Sequence, residues 1–323
     1  MRKRLYSILL LALIQAVQGF TQNAEAPELR MMFWNLENYF DYRNDSTSTS
    51  DAEFSSRGAR HWTKRRFYAK TNAVAKAILW AAGQNGGLPD VVGVAEVENA
   101  FVLRRLVQAT ALHKTDYRIV HFDSPDPRGI DVALLYRSSR LRLLEARPCH
   151  IYTEHGVLPG RDILLCRFAT AEGEQELTVL VNHHPSKYGG AAAEPRRAAA
   201  IGRLAHLADS LLEAGHVRLV AMGDMNDTPD NPLYGRIPLR NLALEHHRHG
   251  EGTIKFDGAW EMIDMFFVSD SLPQADMSTL RVPFLQAPDA THGGTKPLRT
   301  YSGPRYLGGV SDHCPVWLSV RMG

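Results

Sequence analysis

The segment YLGGVSDHCPVWLSV, residues 306–320, places two titratable side chains directly before a predicted strand. Apolar side chains at every second position from residue 316 to residue 320 give the period-two pattern of a half-buried strand. Asp312 and His313 therefore stand at the mouth of a core strand. Two titratable residues in that place form either a solvated turn or part of an active site.

Other apolar segments along the chain also begin or end on polar residues. They are FWNLEN (33–38), VAEVEN (94–99), VNHHPS (181–186), MGDMND (222–227) and MIDMFFVS (262–269). One strand that ends on an acid is common, but a whole series is hard to explain as solvated turns. Because neighbouring strands of a sheet lie side by side, we expect these strand ends to converge on one cleft.

The residue types at these strand ends suit hydrolysis of a phosphate ester. Such a reaction needs a hard divalent cation held by oxygen ligands, and a carboxylate that orients or deprotonates water. Glu37, Glu96 and Asp312 are candidate ligands for Mg²⁺ or Mn²⁺, with Asn35 as an additional oxygen. In Gly-Asp-Met-Asn-Asp, residues 223–227, the side chains of residues 224 and 226 point the same way if the strand continues.

Two histidines are candidates for the donors that the reaction requires, and one acid is a candidate to support them. Developing charge on a phosphate has to be met by neutral or cationic hydrogen-bond donors. His183 and His313 are candidates for that task, and Asp264 is a candidate to fix the tautomer of a histidine.

Taken together, these segments resemble the endonuclease/exonuclease/phosphatase superfamily. The shared motifs run in the same order: N-x-[DE] at the first strand, a Glu at the second, an Asn/His strand end, G-D-x-N, a later Asp, and S-D-H-x-P near the C-terminus. The resemblance covers about residues 30–320. It implies a four-layer α/β sandwich and a metal-dependent phosphoesterase.

The resemblance also implies roles for individual residues. Asn35, Glu37, Glu96 and Asp312 match positions of the metal site, and Asp224, Asn226, Asp264, His183 and His313 match catalytic positions. Within this set, Asp224 would position the attacking water, Asn226 would bind phosphate and His313 would face the phosphate. His184 follows His183 directly, so the histidine match stays ambiguous, and we favour His183.

Basic residues near these segments are candidates for substrate binding. Arg65 belongs to a cluster of basic residues at the entry to the first predicted helix. That cluster is either a polar helix face or a phosphate guide beside the cleft. Arg128 and Lys187 are lesser candidates for the same role.

The pattern of elements predicts an α/β fold with two packed, mainly antiparallel sheets and helices outside them. Helices are expected over residues 63–82, 101–110 and 194–214, with Gly83 as the stop of the first. Most strands are joined by turns of hairpin length. No boundary for a second domain is evident, so residues 28–323 are expected to form one domain.

The N-terminus has the pattern of a secretory signal peptide over residues 1–19. Three basic residues precede a short apolar run, and small Gly19 follows it. Residues 20–27 are expected to be a linker, and an uncleaved anchor is the alternative. The prediction is an exported protein, periplasmic or secreted, without stable membrane insertion after cleavage.

The charge balance limits how the chain can bind phosphate. The formal charge is +2, and removal of residues 1–19 takes away three positive charges and no acid, leaving about −1. A tight duplex-binding protein would be strongly basic, so phosphate affinity has to come from local clusters or from metal. Cys149, Cys166 and Cys314 fit no zinc spacing, and they are either one disulfide with a spare thiol or three buried thiols.

The expected activity is metal-dependent hydrolysis of phosphodiester bonds by an exported endonuclease, with nucleic acid as the substrate. One alternative is a phosphodiesterase or phosphatase that acts on lipid headgroups or small phosphate esters. A second alternative is a non-catalytic binding protein on the same fold. The sequence carries no signal for the oligomeric state.

Overall fold

The structure is a computed structural model that describes residues 28–44, 48, 50–171, 173, 175–187 and 190–322. The predicted signal peptide, residues 1–19, and the predicted linker, residues 20–27, lie outside the described residues. Within the described part of the chain, no helix has both the length and the hydropathy needed to cross a membrane.

The chain alternates strands with a small number of helices. The strands are β1 (Glu28–Tyr39), β2 (Val91–Val97), β3 (Tyr117–His121), β4 (Asp131–Arg137), β5 (Leu141–Cys149), β6 (Tyr152–Thr153), β7 (Gly156–Val157), β8 (Ile163–Thr170), β9 (Glu176–His183), β10 (Leu219–Asp224), β11 (Arg240–Asn241), β12 (Ile254–Phe256), β13 (Ala259–Glu261), β14 (Asp264–Val268), β15 (Ala275–Thr279), β16 (Gln286–Pro288), β17 (Thr295–Pro297), β18 (Tyr301–Ser302), β19 (Arg305–Tyr306) and β20 (Val316–Arg321). The α-helices are α1 (Lys64–Gln84), α2 (Ala100–Gln108), α3 (Glu194–Glu213) and α4 (Ala243–Arg248).

Two six-stranded sheets form the centre of the domain. The first has the order β15-β20-β1-β2-β4-β3 and the second has the order β11-β14-β10-β9-β8-β5. Neighbouring strands are antiparallel except for β1 with β2 and β9 with β10, which are parallel. The prediction of two mainly antiparallel sheets flanked by helices is therefore confirmed.

The alternation of β1 shows why the domain has layers. Met31 and Phe33 are buried in a core cluster with side chains of the second sheet, and Met32 and Trp34 are buried in another cluster with side chains of α1 and α2. Successive residues of a strand face opposite sides of the sheet, so one strand supplies both clusters. Each large apolar side chain buried in this way contributes about 1.5–3 kcal/mol.

The first helix begins where the sequence predicts and ends slightly later. The side chain of Thr63 caps α1 by accepting a hydrogen bond from the main-chain N–H of Arg66. The expected stop at Gly83 was wrong, because α1 continues to Gln84. The chain leaves the helix at Gly86, whose φ of 74° is a left-handed conformation that glycine adopts without steric cost.

The three cysteines are free and buried, so of the two alternatives left open by the sequence the structure has three buried thiols. Burial raises the pKa of the Cys166 thiol, which makes that thiol a poor nucleophile.

Candidate active site

A cleft of about 530 Å³ lies where the strand ends of the two central sheets meet. The side chains that line it include many of the residues singled out from the sequence: Glu37, Glu96, Arg128, His183, Asp224, Asn226, Asp312 and His313. Asn35 and Asp264 lie directly behind this lining and hydrogen bond to it. Residues far apart in the chain thus gather in one place, as the strand-end pattern predicts.

Strand register explains the convergence. In the parallel pair β9 and β10, His183 stands opposite Asp224, and in the antiparallel pair β10 and β14, Asp224 stands opposite Asp264. Gly223 is required by this packing, because a Cβ there would lie 2.3 Å from the main-chain oxygen of Asn182. The glycine of the G-D-x-N motif therefore lets two functional strands approach each other.

Backbone strain is concentrated at the rim of the cleft. Glu37, Asn38, Glu96 and Asn226 have φ values of 45°, 51°, 60° and 50°, a left-handed conformation that is uncommon for residues other than glycine. Such strain persists where surrounding contacts hold a functional geometry in place.

The left-handed φ of Asn226 shows that the strand does not continue past Asp224. The side chains of residues 224 and 226 therefore do not share a face by strand alternation. Instead, the main-chain N–H of Asn226 donates to Oδ1 of Asp224 at 2.9 Å, and its side-chain amide donates to the main-chain oxygen of His184 at 3.0 Å. A tight turn brings both side chains to the cleft.

Asn35 joins two of the carboxylates. Its Nδ2 lies 3.0 Å from Oδ2 of Asp224 and 3.4 Å from Oε1 of Glu96, and its Oδ1 accepts the main-chain N–H of Glu37 at 2.9 Å. The amide nitrogen of Asn35 therefore faces the acids, while its oxygen is used by the main chain. In this orientation Asn35 hydrogen bonds to two carboxylates through its nitrogen. The structure gives no direct support to its predicted role as a metal ligand.

Asp224 is the most deeply placed acid of the lining. Burial raises its pKa to about 7, with Asp264 adding to the effect and His313 opposing it. A carboxylate with a pKa near neutrality is well matched to accept a proton from water.

His313 forms a buried pair with Asp264. Nδ1 of His313 lies 2.8 Å from Oδ2 of Asp264, while Nε2 points toward Asp224, 3.8 Å from its Oδ2. Burial by itself would lower the pKa of His313, but the carboxylates of Asp264 and Asp224 outweigh burial and hold that pKa well above its ordinary value. The expected partnership of Asp264 with a histidine is thus present in the geometry.

The two adjacent histidines occupy different places. His183 lines the cleft, with Nε2 3.5 Å from Oδ2 of Asp224 and 3.9 Å from Oε1 of Glu96. His184 is fully buried outside the lining, and neither ring nitrogen has a hydrogen-bond partner among the described residues. Burial, followed by the positive charge of Arg161, lowers the pKa of both rings, so both are neutral near pH 7. The geometry favours His183 over His184 for contact with a substrate.

On the opposite wall, Arg299 links Glu37 and Asp312. Its Nη2 lies 2.9 Å from Oε1 of Glu37 and 2.9 Å from Oδ2 of Asp312. Burial and the nearby charge of Asp312 raise the pKa of Glu37 to about 7, although Arg299 and Lys70 oppose them. Buried Lys70 donates to the main-chain oxygen of Glu37 at 2.5 Å. Sequence reasoning missed both cations, since neither lies in a recognisable motif.

The donor set fits a hard divalent cation. Glu37, Glu96, Asp224 and Asp312 all line one cleft, and carboxylate oxygens are the ligands that Mg²⁺ and Mn²⁺ prefer. The raised pKa values of Glu37 and Asp224 are the signature of acids held together in a poorly solvated place. A cation bound in this cleft would reduce the electrostatic repulsion between these carboxylates.

The predicted substrate-binding residues have different surroundings. Arg128 lines the cleft and is partly exposed. Lys187 lies outside the lining and forms ion pairs with Asp227 at 3.4 Å and Glu261 at 3.5 Å. Arg65 is exposed on the first turn of α1 and is not part of the lining, so the basic cluster at that helix does not reach the cleft through this side chain.

Two short hairpins that the sequence did not reveal form the outer wall. The hairpin of β12 and β13 contributes Lys255 and Phe256, and the hairpin of β16 and β17 contributes Lys296. Both lysines contact the same carboxylate, that of Asp289, at 3.0 and 3.3 Å. Phe256 is 68% exposed, which is unusual for an aromatic side chain beside a polar cleft.

Comparison with known proteins identifies related folds. The sequence profile described as "Endonuclease/Exonuclease/phosphatase family" matches residues 30–322. No curated protein matches the chain in sequence. A protein of that family from Bacteroides thetaiotaomicron is similar in structure, with 16% identity, a TM-score of 0.58, and coverage of 93% of this chain and 99% of the other.

Two further solved structures are similar over nearly their whole length. The mannosyl-6-phosphatase of Bacteroides thetaiotaomicron has 15% identity and a TM-score of 0.57, with 90% of this chain and 99% of that chain covered. TDP2 from D. rerio, complexed with a single-strand DNA product, has 14% identity and a TM-score of 0.53, with 91% and 99% covered. At these identities the likeness concerns the fold.

Proposed function

Because the chain belongs to the endonuclease/exonuclease/phosphatase family, we propose that it hydrolyses phosphate esters with a divalent metal ion, Mg²⁺ or Mn²⁺. The observation that carries the proposal is the single cleft in which Glu96, Asp224, His183 and His313 meet. A bound divalent ion would stabilise negative charge on the phosphoryl group, with Glu96 as its principal ligand.

Asp224 is the residue we assign to the attacking water. Its carboxylate is buried, is oriented by hydrogen bonds from Asn35 and Asn226, and has a pKa of about 7. The water oxygen forms the new bond to phosphorus while its proton passes to Asp224. The bond from phosphorus to the leaving oxygen breaks, and that oxygen takes a proton from solvent.

The two histidines of the cleft serve as donors to the phosphoryl oxygens. Asp264 keeps His313 protonated and fixes Nδ1, so that Nε2 is free to face the substrate. His183 is neutral, so one of its ring nitrogens carries a hydrogen that can be donated to a phosphoryl oxygen. Its Nε2 faces the carboxylates of the cleft. Removing one positioned donor of this kind typically lowers kcat by about 10²–10³-fold.

Nucleic acid is the substrate class that we favour. The exposed ring of Phe256 stands on the wall of the same cleft as Arg128 and Lys296, whose side chains are about half exposed. An aromatic ring stacks on a base, and nearby cations follow the phosphate backbone, which is the usual combination for single strands. TDP2, one of the proteins similar in structure, is complexed with a single-strand DNA product. We therefore propose a nuclease that prefers single-stranded substrate.

A small phosphate ester is the second candidate. The cleft volume of about 530 Å³ lies within the range of small-molecule sites, and one structural relative is a mannosyl-6-phosphatase. A lipid headgroup would also fit this description, with Phe256 then contacting the lipid surface.

Substrate turnover decides between these candidates. The purified chain would be incubated with single- and double-stranded DNA, RNA, sphingomyelin, mannose 6-phosphate and a chromogenic phosphodiester, with Mg²⁺ or Mn²⁺ and then with EDTA. We expect cleavage of single-stranded nucleic acid that stops in EDTA. Efficient turnover of a sugar phosphate or a lipid without nucleic acid cleavage would reject the nuclease, and metal-independent turnover would reject the mechanism.

Phe256→Ala sharpens the test of the nuclease. Loss of one stacking contact should raise KM for single-stranded DNA by about 5- to 100-fold and leave the chromogenic phosphodiester unaffected. Phe122→Ala is the matched control, because Phe122 is also exposed but lies outside the cleft. Equal effects of the two variants would remove Phe256 from the binding site.

We also propose that the protein is exported. The support is the basic, apolar and small-residue pattern of residues 1–19. Expression with a C-terminal tag, followed by cell fractionation and mass spectrometry of the N-terminus, should find the chain outside the cytoplasm and shortened near residue 19. A full-length N-terminus in the cytoplasmic fraction would reject export.

A further inference from the structure

A cation that belongs to the chain bridges two of the acids predicted to hold metal. Arg299 reaches Oε1 of Glu37 with both Nε and Nη2 at 2.9 Å, and the same Nη2 lies 2.9 Å from Oδ2 of Asp312. The remaining oxygen of Glu37, Oε2, accepts the main-chain N–H of Thr300 at 2.7 Å. The Glu37 carboxylate is therefore held by both Arg299 and Thr300.

This bridge is anchored in the interior of the domain. Buried Lys70 donates to the main-chain oxygen of Glu37 at 2.5 Å and to Oγ1 of Thr300 at 2.9 Å. The hydroxyl of Thr300 in turn donates to the main-chain oxygen of Val310 at 3.0 Å, two residues before Asp312. The segments that carry the arginine and both acids are thus fixed to one another by a buried network, so the position of Arg299 is set by the fold.

The chemistry of the bridge resembles that of a bound cation. Two carboxylates that face one opening repel each other unless positive charge lies between them. A guanidinium is planar and always charged, and its fork of N–H donors matches carboxylates and phosphates. The Arg299 side chain is about half exposed and lines the cleft. Its Nη1 makes no hydrogen bond to any residue that the structure describes, so that group is available to a phosphoryl oxygen.

We propose that Arg299 is a catalytic residue that takes the place of a second divalent ion. The guanidinium satisfies Glu37 and Asp312, which leaves one metal position at Glu96, and its free N–H groups bind a phosphoryl oxygen of the substrate. The proposal rests on the proposed metal-dependent function. The site would then hold one metal ion, and the guanidinium of Arg299 would lie where a second ion would otherwise bind.

Metal stoichiometry tests the proposal without recourse to activity. Titration with Mn²⁺, followed by calorimetry and by the electron paramagnetic resonance signal of free Mn²⁺, should give one ion per wild-type chain. Arg299→Gln should bind two ions, because Glu37 and Asp312 are released. Adding Glu37→Gln to that variant should return the stoichiometry to one. Arg305→Gln, which removes an exposed arginine outside the cleft lining, should behave as wild type.

Binding of inorganic phosphate tests the second part of the proposal. In the presence of saturating Mn²⁺, Arg299→Lys keeps the positive charge but loses the fork, so it should still bind one metal ion. Its affinity for phosphate should fall by about 10- to 100-fold, the value of a lost charge-assisted hydrogen bond. A folded Arg299→Lys protein with unchanged phosphate affinity would overturn the role at the phosphoryl group.

The outcomes separate this inference from the proposed function. Two ions on the wild-type chain, or a single ion on folded Arg299→Gln, would overturn the substitution of arginine for metal while leaving a metal-dependent enzyme. No Mn²⁺ on the wild-type chain, together with turnover that persists in EDTA, would reject the metal-dependent function itself. Circular dichroism melting curves of each variant establish that it is folded.

Discussion

Replacing Asp264 with asparagine removes one negative charge beside His313 and keeps the shape of the side chain. Oδ2 of Asp264 lies 2.8 Å from Nδ1 of His313 in a fully buried position. A hydrogen bond to a charged group contributes about 1.5–3 kcal/mol, and 1.36 kcal/mol corresponds to one pKa unit. The pKa of His313 should therefore fall by about one to two units in Asp264→Asn.

The sign of the pH effect follows from the raised pKa of His313. In the wild-type protein the imidazolium persists to high pH, so the stabilising pair with Asp264 is lost only as pH rises through that raised pKa. In Asp264→Asn the ring loses its proton earlier, and the alkaline limb of the pH–rate profile should move down by about one to two pH units. Where the wild-type ring is protonated and the variant ring is not, the rate should fall by about 10- to 100-fold.

Two measurements check this reasoning. The pH dependence of kcat/KM would be recorded with a chromogenic phosphodiester, and the His313 ring would be titrated by NMR with labelled histidine, assigned through His313→Gln. Asp209→Asn, an exposed acid on α3, is the control and should change neither. An unchanged alkaline limb together with an unchanged ring titration would refute the role given to Asp264.

Three further predictions concern other parts of the cleft. Glu96→Gln should weaken Mn²⁺ binding by more than about 100-fold in calorimetry, since outer-sphere partners alone contribute 10- to 100-fold. His183→Ala should lower kcat/KM by about 10²–10³ with little change in melting temperature, whereas His184→Ala should cost about 1–3 kcal/mol in urea unfolding and spare the kcat of the folded enzyme. Arg128→Ala should raise KM by about tenfold through loss of a cleft cation, while exposed Arg65→Ala should leave KM nearly unchanged.

Each of these predictions has an outcome that contradicts it. Full Mn²⁺ affinity in Glu96→Gln would move the metal elsewhere in the cleft. A reversal of the two histidine phenotypes would make His184 the functional ring despite its burial. A larger KM effect for Arg65 than for Arg128 would restore the helix entry as a phosphate guide.

The strand ends and their chemistry could be predicted from the sequence because both depend on local pattern. Period-two alternation identified β20, and apolar runs that begin or end on polar residues identified β1, β10 and β14. The polar residue at each strand end followed directly from its place in the motif. Turns of hairpin length also led to the prediction of mainly antiparallel sheets, but among the antiparallel pairs of the two central sheets only β3–β4 and β8–β9 join consecutive strands. Helix ends were less well predicted, and Gly83 lies inside α1 because the left-handed exit occurs at Gly86.

Tertiary structure decided the features that join distant residues or depend on side-chain direction. Arg299 pairs with Glu37 across 262 positions of the chain, in a stretch that carries no motif. The separation of His183 from His184 depends on which face of a strand end meets the cleft, and the turn at Asn226 depends on a left-handed φ. A local pattern specifies which side chains the chain carries and where strands form. Only the packing of the two sheets and their loops determines which of those side chains touch, because contact energies between distant residues exist only after the chain has closed upon itself.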